Sequence, residues 1–410
     1  TKCSLIRRCP YLRDLLCISL CAQIAAVPMQ LTFYGYISLV SLPMNLITGV
    51  MMPYLMNGGL LCAVFSAFVP SAKGLIAFCA SAPIVVFEKL SLRFAEIGVL
   101  RLPAPYPWMI PVAFIAMALF GDAIRFGRGK RWAFIATVVL LTAGYLCRFC
   151  PIWRYVQLDV GQGDAAVLRH GRQAVLVDVG KANGKETIRY LRHEGLYVDT
   201  VVLSHLDEDH AGALKELMDS EIQISRIVLP AGLEESEACD TVRAGLGAAH
   251  EAGVNIIKTG EGEKIEALGI QMDVLAPGDW KKKEDNDYSL VLYVEIENAA
   301  LLLTGDSPTT SEQYDIPVCD VLKVSHHGSP YATSDAFIHQ AEPQIALISV
   351  GRNSYGHPAQ RVIDSLEENG AYVVRTDEGG CITLWLGKRK MALQTYCASS
   401  LKPVILAYTR

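Results

Sequence analysis

Four potential metal ligands fall within six residues of this chain, in the run Ser204-His205-Leu206-Asp207-Glu208-Asp209-His210-Ala211-Gly212. Two imidazoles and two carboxylates that close together suit zinc, manganese or iron(II). A polar strand-to-helix loop with an Asp N-cap would need one such residue rather than four. The chemistry indicated is that of a divalent ion that activates water and stabilises developing charge on oxygen.

The neighbouring pattern supplies a mount for this cluster. Residues 200–203 are an apolar, strand-like run that stops at the cluster, and a helix is expected from about Gly212 to Met218. Further strands are expected at 155–160, 165–168, 174–179, 227–229, 255–258, 345–350, 372–375 and 382–387. Residues 290–297 and 300–303 read as a hairpin around Asn298, and 185–194, 234–252 and 360–369 as helices. Strands interleaved with helices indicate a layered α/β domain. Polar groups stand at the ends of several of these strands, where ligand-binding loops belong: Asn286, Asp287 and Ser289; Leu303-Thr304-Gly305-Asp306; Ser325-His326-His327-Gly328-Ser329; and Asn353-Ser354-Tyr355-Gly356-His357-Pro358.

The chain has two contrasting halves. Residues 1–149 hold 13 Lys plus Arg against 4 Asp plus Glu, a formal +9, and no His. Residues 150–410 hold 24 against 38, a formal −14, and all nine His. The first half carries long, nearly uncharged stretches at 15–29, 36–53, 56–69, 75–87, 107–120 and 132–146. A membrane span needs about 20 apolar residues, so some of these read as spans and the shorter ones as re-entrant or interfacial segments. Arg125, Arg128, Lys130 and Arg131 lie between the last two stretches, and only Arg148 and Arg154 lie near the far side of the last one. Positive charge stays on the cytoplasmic side, which puts the acidic half outside the cytoplasm. The chain opens on Thr1 among Lys2, Arg7, Arg8 and Arg13, which reads as part of a longer membrane protein. Cys147 and Cys150 have CxxC spacing, weak for a metal and somewhat better for a disulfide.

With these motifs in hand, the chain resembles the metallo-β-lactamase superfamily and, more narrowly, the ComEC family of competence DNA-internalisation proteins. The residues that carry the resemblance are Asp159-Val160-Gly161-Gln162-Gly163-Asp164, the 205–210 cluster, Asn286 to Leu290, Thr304-Gly305-Asp306, Ser325 to Ser329 and Asn353 to Pro358. The resemblance implies an α-helical polytopic membrane segment (1–149, the C-terminal part of the competence domain) followed by an α/β metallo-β-lactamase-like αββα sandwich (150–410). The amino-terminal OB-like domain and first membrane helices of that family have no counterpart in this sequence. The superfamily's His-x-His-x-Asp-His pattern is altered, since Asp207 takes the second His position. The separate His that the superfamily places before the bridging Asp has only His250 to represent it, inside an expected helix.

By this carry-over His205 and Asp207 bind one metal, Asp209 and His210 a second, and Asp306 bridges them. His326 or His327 completes the second site. Asp209, Asp306, His357 and Asn353 form the catalytic group, the last two binding phosphate or protonating the leaving oxygen. Asp164, Asp178 and Gln162 support the ligands from behind, and Asn286, Ser289 and Ser325 contact substrate. The expected cofactors are two divalent ions, manganese or zinc first and magnesium next. The implied function is DNA uptake across the cytoplasmic membrane in transformation. A metal-dependent nuclease would degrade the non-imported strand, with single-stranded DNA, membrane lipid and other competence uptake proteins as partners. Two alternatives stay open: a membrane-anchored metallo-hydrolase of a small phosphoester, lactone or thioester, and a DNA channel whose metal domain is not catalytic. The −14 charge opposes DNA binding, for which a basic patch is usual, and Lys281-Lys282-Lys283 is a basic cluster in that half.

Overall fold

The computed structural model describes residues 10–68, 73–95, 99–125, 128–220, 222–233, 238–278, 285–396 and 404–407. The Lys281-Lys282-Lys283 run, the basic residues Lys2, Arg7 and Arg8, and the expected start of a helix at 234–237 lie outside the described residues. The chain divides into two compact units, Thr1–Leu146 with His193–Gly195, and Cys147–Arg192 with Leu196–Arg410.

The first unit is helical. Its helices span Pro10–Tyr34, Ser41–Phe68, Lys73–Ala95, Met109–Arg125 and Arg128–Leu146, and two short strands, β1 (Tyr36–Ser38) and β2 (Val99–Arg101), pair antiparallel. The stretches at 36–53 and 56–69, expected as separate segments, are instead a strand and one continuous helix that runs through Pro53. A helix in apolar surroundings is kept intact because each freed backbone group has no water to pair with. Arg13–Tyr34, Ser41–Phe65 and Arg131–Phe149 are long and apolar enough to cross a membrane. Their large apolar side chains point outward, among them Phe33, Leu61, Phe65 and Leu140. At Gly144 an added Cβ would lie 2.9 Å from Met109 Cε, so the last two helices meet closely through a residue without a side chain. Cys147 and Cys150 are both free thiols, which corrects the disulfide expected of them.

The second unit is built on two sheets. The larger contains β3 (Trp153–Gln157), β4 (Ala166–His170), β5 (Gln173–Val177), β6 (Tyr197–Val202), β7 (Ile224–Pro230) and β8 (Asn255–Thr259). The smaller contains β9 (Lys264–Ala267), β10 (Ile270–Ala276), β11 (Val291–Ile296), β12 (Ala299–Leu303), β13 (Val321–Lys323), β14 (Ile345–Ile348) and β15 (Tyr372–Arg375). The chain then returns to the larger sheet with β16 (Ile382–Leu386), β17 (Lys390–Thr395) and β18 (Val404–Ala407), giving the order β18-β17-β16-β3-β4-β5-β6-β7-β8. The smaller sheet runs β15-β14-β13-β12-β11-β10-β9. The hairpin β9-β10 and the strands β17 and β18 go beyond the elements expected from the sequence.

Alternation along each strand divides the unit into four layers. Tyr155, Leu168 and Val175 of the larger sheet face Val274, Leu292, Leu301 and Leu347 of the smaller one in a single buried core. Val156, Val167 and Leu176 point the other way, onto the helices Glu186–Glu194, Leu214–Met218 and Asp240–Glu251. Leu302, Leu322 and Ala346 pack on Asp335–Ala341 and Gln360–Glu368. This is the expected αββα sandwich. The parallel runs β5-β6-β7-β8 and β12-β13-β14-β15 bring their C-terminal ends to loops that carry the candidate ligands, the position where open α/β sheets bind ligands.

Candidate metal centre

Residues from five loops converge at the strand ends. His205 and His210 follow β6, Asp178 follows β5, Asp164 precedes β4, Asp306 follows β12, and His326 and His327 follow β13. The helix expected behind the first cluster is Leu214–Met218, and a separate four-residue helix, Glu208–Ala211, lies ahead of it within the cluster. Asp207 is the N-cap of Glu208–Ala211, in extended conformation, and its backbone carbonyl accepts from His210 N and Ala211 N. Its carboxylate makes no cap hydrogen bond; its Oδ2 lies 3.6 Å from His205 Nε2. The side chain thus lies near His205 without a hydrogen bond to it or to the helix N-terminus.

Asp164, His210, Asp306 and His327 are all buried, and one ligand atom from each lies within 4.8 Å of the others. His210 Nε2 is 3.1 Å from Asp306 Oδ1 and 3.9 Å from Asp164 Oδ2. His327 Nε2 is 3.2 Å from Asp209 Oδ2 and 3.8 Å from Asp306 Oδ2. His326 Nε2 reaches Asp306 Oδ2 at 3.7 Å. His205 is 4.1 Å from His210, ring to ring. His250, by contrast, is an exposed residue of the helix Asp240–Glu251 and stands apart from this group.

The donor set fits a divalent ion. His205 Nε2 is buried without a hydrogen-bond partner, and His210 Nε2 and Asp306 Oδ1 have only each other, 3.1 Å apart and poorly aligned for a hydrogen bond, an unfavourable condition that a cation relieves. The opposite ring nitrogens are held: His210 Nδ1 lies 2.8 Å from Asp178 Oδ2 and His327 Nδ1 donates to Ser349 O at 2.8 Å. These contacts orient each Nε2 toward the cluster, as outer partners do at metal sites. Asp178 also accepts from Ser204 N and Ser204 Oγ, both at 2.7 Å.

Asp164 does not stand behind a ligand His, as the sequence had led us to expect, but within the cluster. Its Oδ1 accepts from Gln157 Nε2 at 3.2 Å, and its Oδ2 is ion-paired with Lys323. A carboxylate offers about four lone pairs, so both contacts leave room for a cation. Lys323 is a residue that sequence reasoning missed. It ends the apolar strand β13, is only 4 % exposed, and donates to Gly305 O at 3.1 Å. The signal was a single Lys in a run of buried apolar residues.

The electrostatics follow from burial opposed by neighbouring charge. Burial raises the Asp209 carboxyl, but the hydrogen bond from His327 and the charge of His210 outweigh it and bring the pKa to about 2. Asp306 is held well below the usual carboxylate range, burial again being overcome, here mainly by His210 and His327. Burial lowers His210, yet Asp306 and Asp178 carry it well above its ordinary value. His326 and His357 go down, first through burial. The shift favours the neutral imidazole of His357, which can donate one N–H to phosphate.

Two further expectations are corrected by hydrogen bonding. The Asn353 amide donates to Gly351 O and His357 O, at 2.9 and 2.8 Å, and accepts from Tyr355 N and His357 N, at 3.0 and 3.1 Å. Those four contacts fill its capacity, so it shapes the loop and does not grip phosphate. Ser325, expected to touch substrate, is buried and donates to Ser307 O at 2.7 Å. Ser289 Oγ accepts from Asp306 N at 3.3 Å and so positions that Asp. Asn286 Nδ2 lies 3.4 Å from His326 Nδ1, and Gln162 Oε1 accepts from Gly351 N at 3.4 Å. Gly163 lets its turn close on the cluster: at φ 143° an added Cβ would come within 2.5 Å of Asp209 O. His326 and His327 occupy left-handed backbone at φ 49° and 54°, costly for such residues and concentrated at functional sites.

Residues 158–255 match the model of the metallo-beta-lactamase superfamily, and residues 3–147 match that of the Competence protein family. ComE operon protein 3 of Bacillus subtilis (strain 168) is 28 % identical over 404 residues, covering 90 % of this chain and 51 % of that protein. Recombination protein 2 of Haemophilus influenzae is 28 % identical over 254 residues, 60 % of this chain and 30 % of that protein. Competence protein ComA of Neisseria gonorrhoeae is 28 % identical over 306 residues, 70 % of this chain and 39 % of that protein. The chain spans about half the length of the first of these relatives and less of the other two.

Proposed function

Because the chain belongs to the ComEC family of competence proteins, we propose that it acts in DNA uptake during natural transformation, its second unit hydrolysing phosphodiesters of the strand that is not imported. In this reading the first unit is a multi-pass segment of the cytoplasmic membrane, residues 1–149 forming that domain and 150–410 the hydrolase, which faces away from the cytoplasm. Single-stranded DNA and other uptake proteins are its partners.

The observation that carries the hydrolase reading is the buried group Asp164, His210, Asp306 and His327, beside a His205 Nε2 that is buried without a hydrogen-bond partner. These four, with His205, Asp207, Asp209 and His326 around them, would hold one or two divalent ions, manganese, zinc or magnesium. Such an ion, when bound, polarises a phosphodiester and lowers the pKa of water. The chain's own residues do the rest. Asp178 and Ser349 fix the tautomers of His210 and His327. Asp209, ionised far below neutrality, accepts a hydrogen bond from an attacking water and so orients it. His357 donates its N–H to a phosphate oxygen.

The −14 charge of residues 150–410 favours a second reading, hydrolysis of a small phosphoester, lactone or thioester. The test uses the whole chain in detergent with end-labelled single- and double-stranded DNA and added manganese, magnesium or zinc, beside Asp306→Ala. We expect metal-dependent cutting that Asp306→Ala lowers by roughly a hundredfold or more, by analogy with the loss of other groups that stabilise a transition state. A folded, metal-loaded chain that cuts no DNA but cleaves a small phosphoester or lactone would replace the first reading with the second.

A further inference from the structure

Four rings lie in sequence from the buried cluster to the surface. His327 is 6.1 Å from His326, His326 is 5.5 Å from His357, and His357 is 5.9 Å from Tyr355. The first is buried and the last is 72 % exposed. Scattered exposed tyrosines need no explanation, but this one ends a line of rings that begins at the candidate metal centre.

Its loop is also rigid. The Asn353 amide holds Tyr355 N and both sides of the turn, Gln162 Oε1 accepts from Gly351 N, and Thr376 Oγ1 accepts from Val350 N at 2.8 Å. Ala359 N donates to Gly328 O at 2.8 Å, which joins this loop to the one carrying His326 and His327. An aromatic ring presented on fixed backbone loses little freedom on making a contact. Exposed Arg352 lies in the same loop. Residues 150–410 carry a formal charge of −14, so attraction to phosphate is a weak source of affinity, and stacking on a base does not depend on charge.

We propose that Tyr355 is a base-stacking residue at the rim of the metal site, holding a nucleobase beside the phosphodiester and so selecting unpaired DNA. This rests on the nuclease reading above. Bases inside a duplex offer no free face, so a stacking rim discriminates between single and double strands without reading sequence.

The test is fluorescence anisotropy of the whole chain in detergent, with manganese and three hydrolysis-resistant labelled probes: a single strand, an abasic strand of equal length, and a duplex. Tyr355→Ala should bind the single strand roughly tenfold more weakly. The same variant should bind the abasic strand and the duplex as the parent chain does, and Tyr355→Phe should restore single-strand binding. Undiminished single-strand binding by Tyr355→Ala, or an equal loss on the abasic strand, would overturn the assignment while leaving the nuclease reading intact. A parent chain that binds none of the three probes would overturn both.

Discussion

The two units are opposite in what they expose and what they bury. In the first, Phe33, Leu61, Phe65 and Leu140 face outward. In the second, Asp164, Asp178, His205, His210, Asp306, Lys323 and His327 face inward. An exposed apolar surface is stable where the surroundings are lipid, and a buried charge is stable where partners or a metal answer it. One chain therefore carries two solutions to solvation, and each should respond differently to the same kind of substitution.

The largest effect is expected at the buried charges. Lys323 and Asp164 face each other in the interior with Asp306 close enough to help hold the ammonium charged. Lys323→Met leaves Asp164 uncompensated and should destabilise the second unit by about 3–5 kcal/mol. Adding Asp164→Leu should recover most of that stability while lowering metal content. Chemical unfolding followed by the fluorescence of Trp153 and Trp385, with metal analysis on the same samples, measures both. Equal stability of Lys323→Met and the parent chain would mean the interior tolerates a lone carboxylate, and the contrast between the units would fail on this side.

Exposed positions test the other side. Leu140 is 67 % exposed in the first unit and Val318 is 39 % exposed in the second. Placing Arg at Leu140 should cost about 3 kcal/mol of membrane insertion, because the centre of a span disfavours charge by about that much. Placing Arg at Val318 should change stability by less than about 0.5 kcal/mol, as surface substitutions usually do. Recovery of each variant in the membrane fraction, together with its thermal unfolding, separates the outcomes. A harmless Leu140→Arg would remove the basis for reading that helix as a span.

How much of this was legible beforehand depended on the range of the interaction. The His205–His210 spacing and the polar groups after strands were readable because each is local. The placement of Asp164 among the ligands was not, since it depends on Lys323 from the other sheet. Nor was the role of Asn353, whose chemistry is that of a ligand but whose amide is taken up by its own loop. The hairpin β9-β10 was missed because β9 has only four residues and its turn, Leu268 and Gly269 at φ 53° and 80°, follows at once. Pro53 misled in the opposite direction: a helix breaker in water is carried inside Ser41–Phe68.

The smallest effect concerns acid. The Asp209 carboxyl sits at about 2 in the folded chain against an ordinary 3.8, burial being outweighed by His327 and His210. A depressed folded pKa means that the unfolded chain takes up the proton first as pH falls. The carboxylate's contribution to stability is thus complete above about pH 4 and disappears progressively toward about pH 2. Both histidines are protonated throughout that window, so the attraction persists until Asp209 itself is neutralised. With a chelator present, the stability gap between the parent chain and Asp209→Asn should be widest above about pH 4 and should narrow over that interval. The group is partly exposed, 35 % at the side chain, so solvent screening keeps the effect modest. A gap that stays constant down to about pH 2 would show that Asp209 ionises as an ordinary carboxyl. The inward-facing charges would then be coupled less tightly than the 3.2 Å contact to His327 implies.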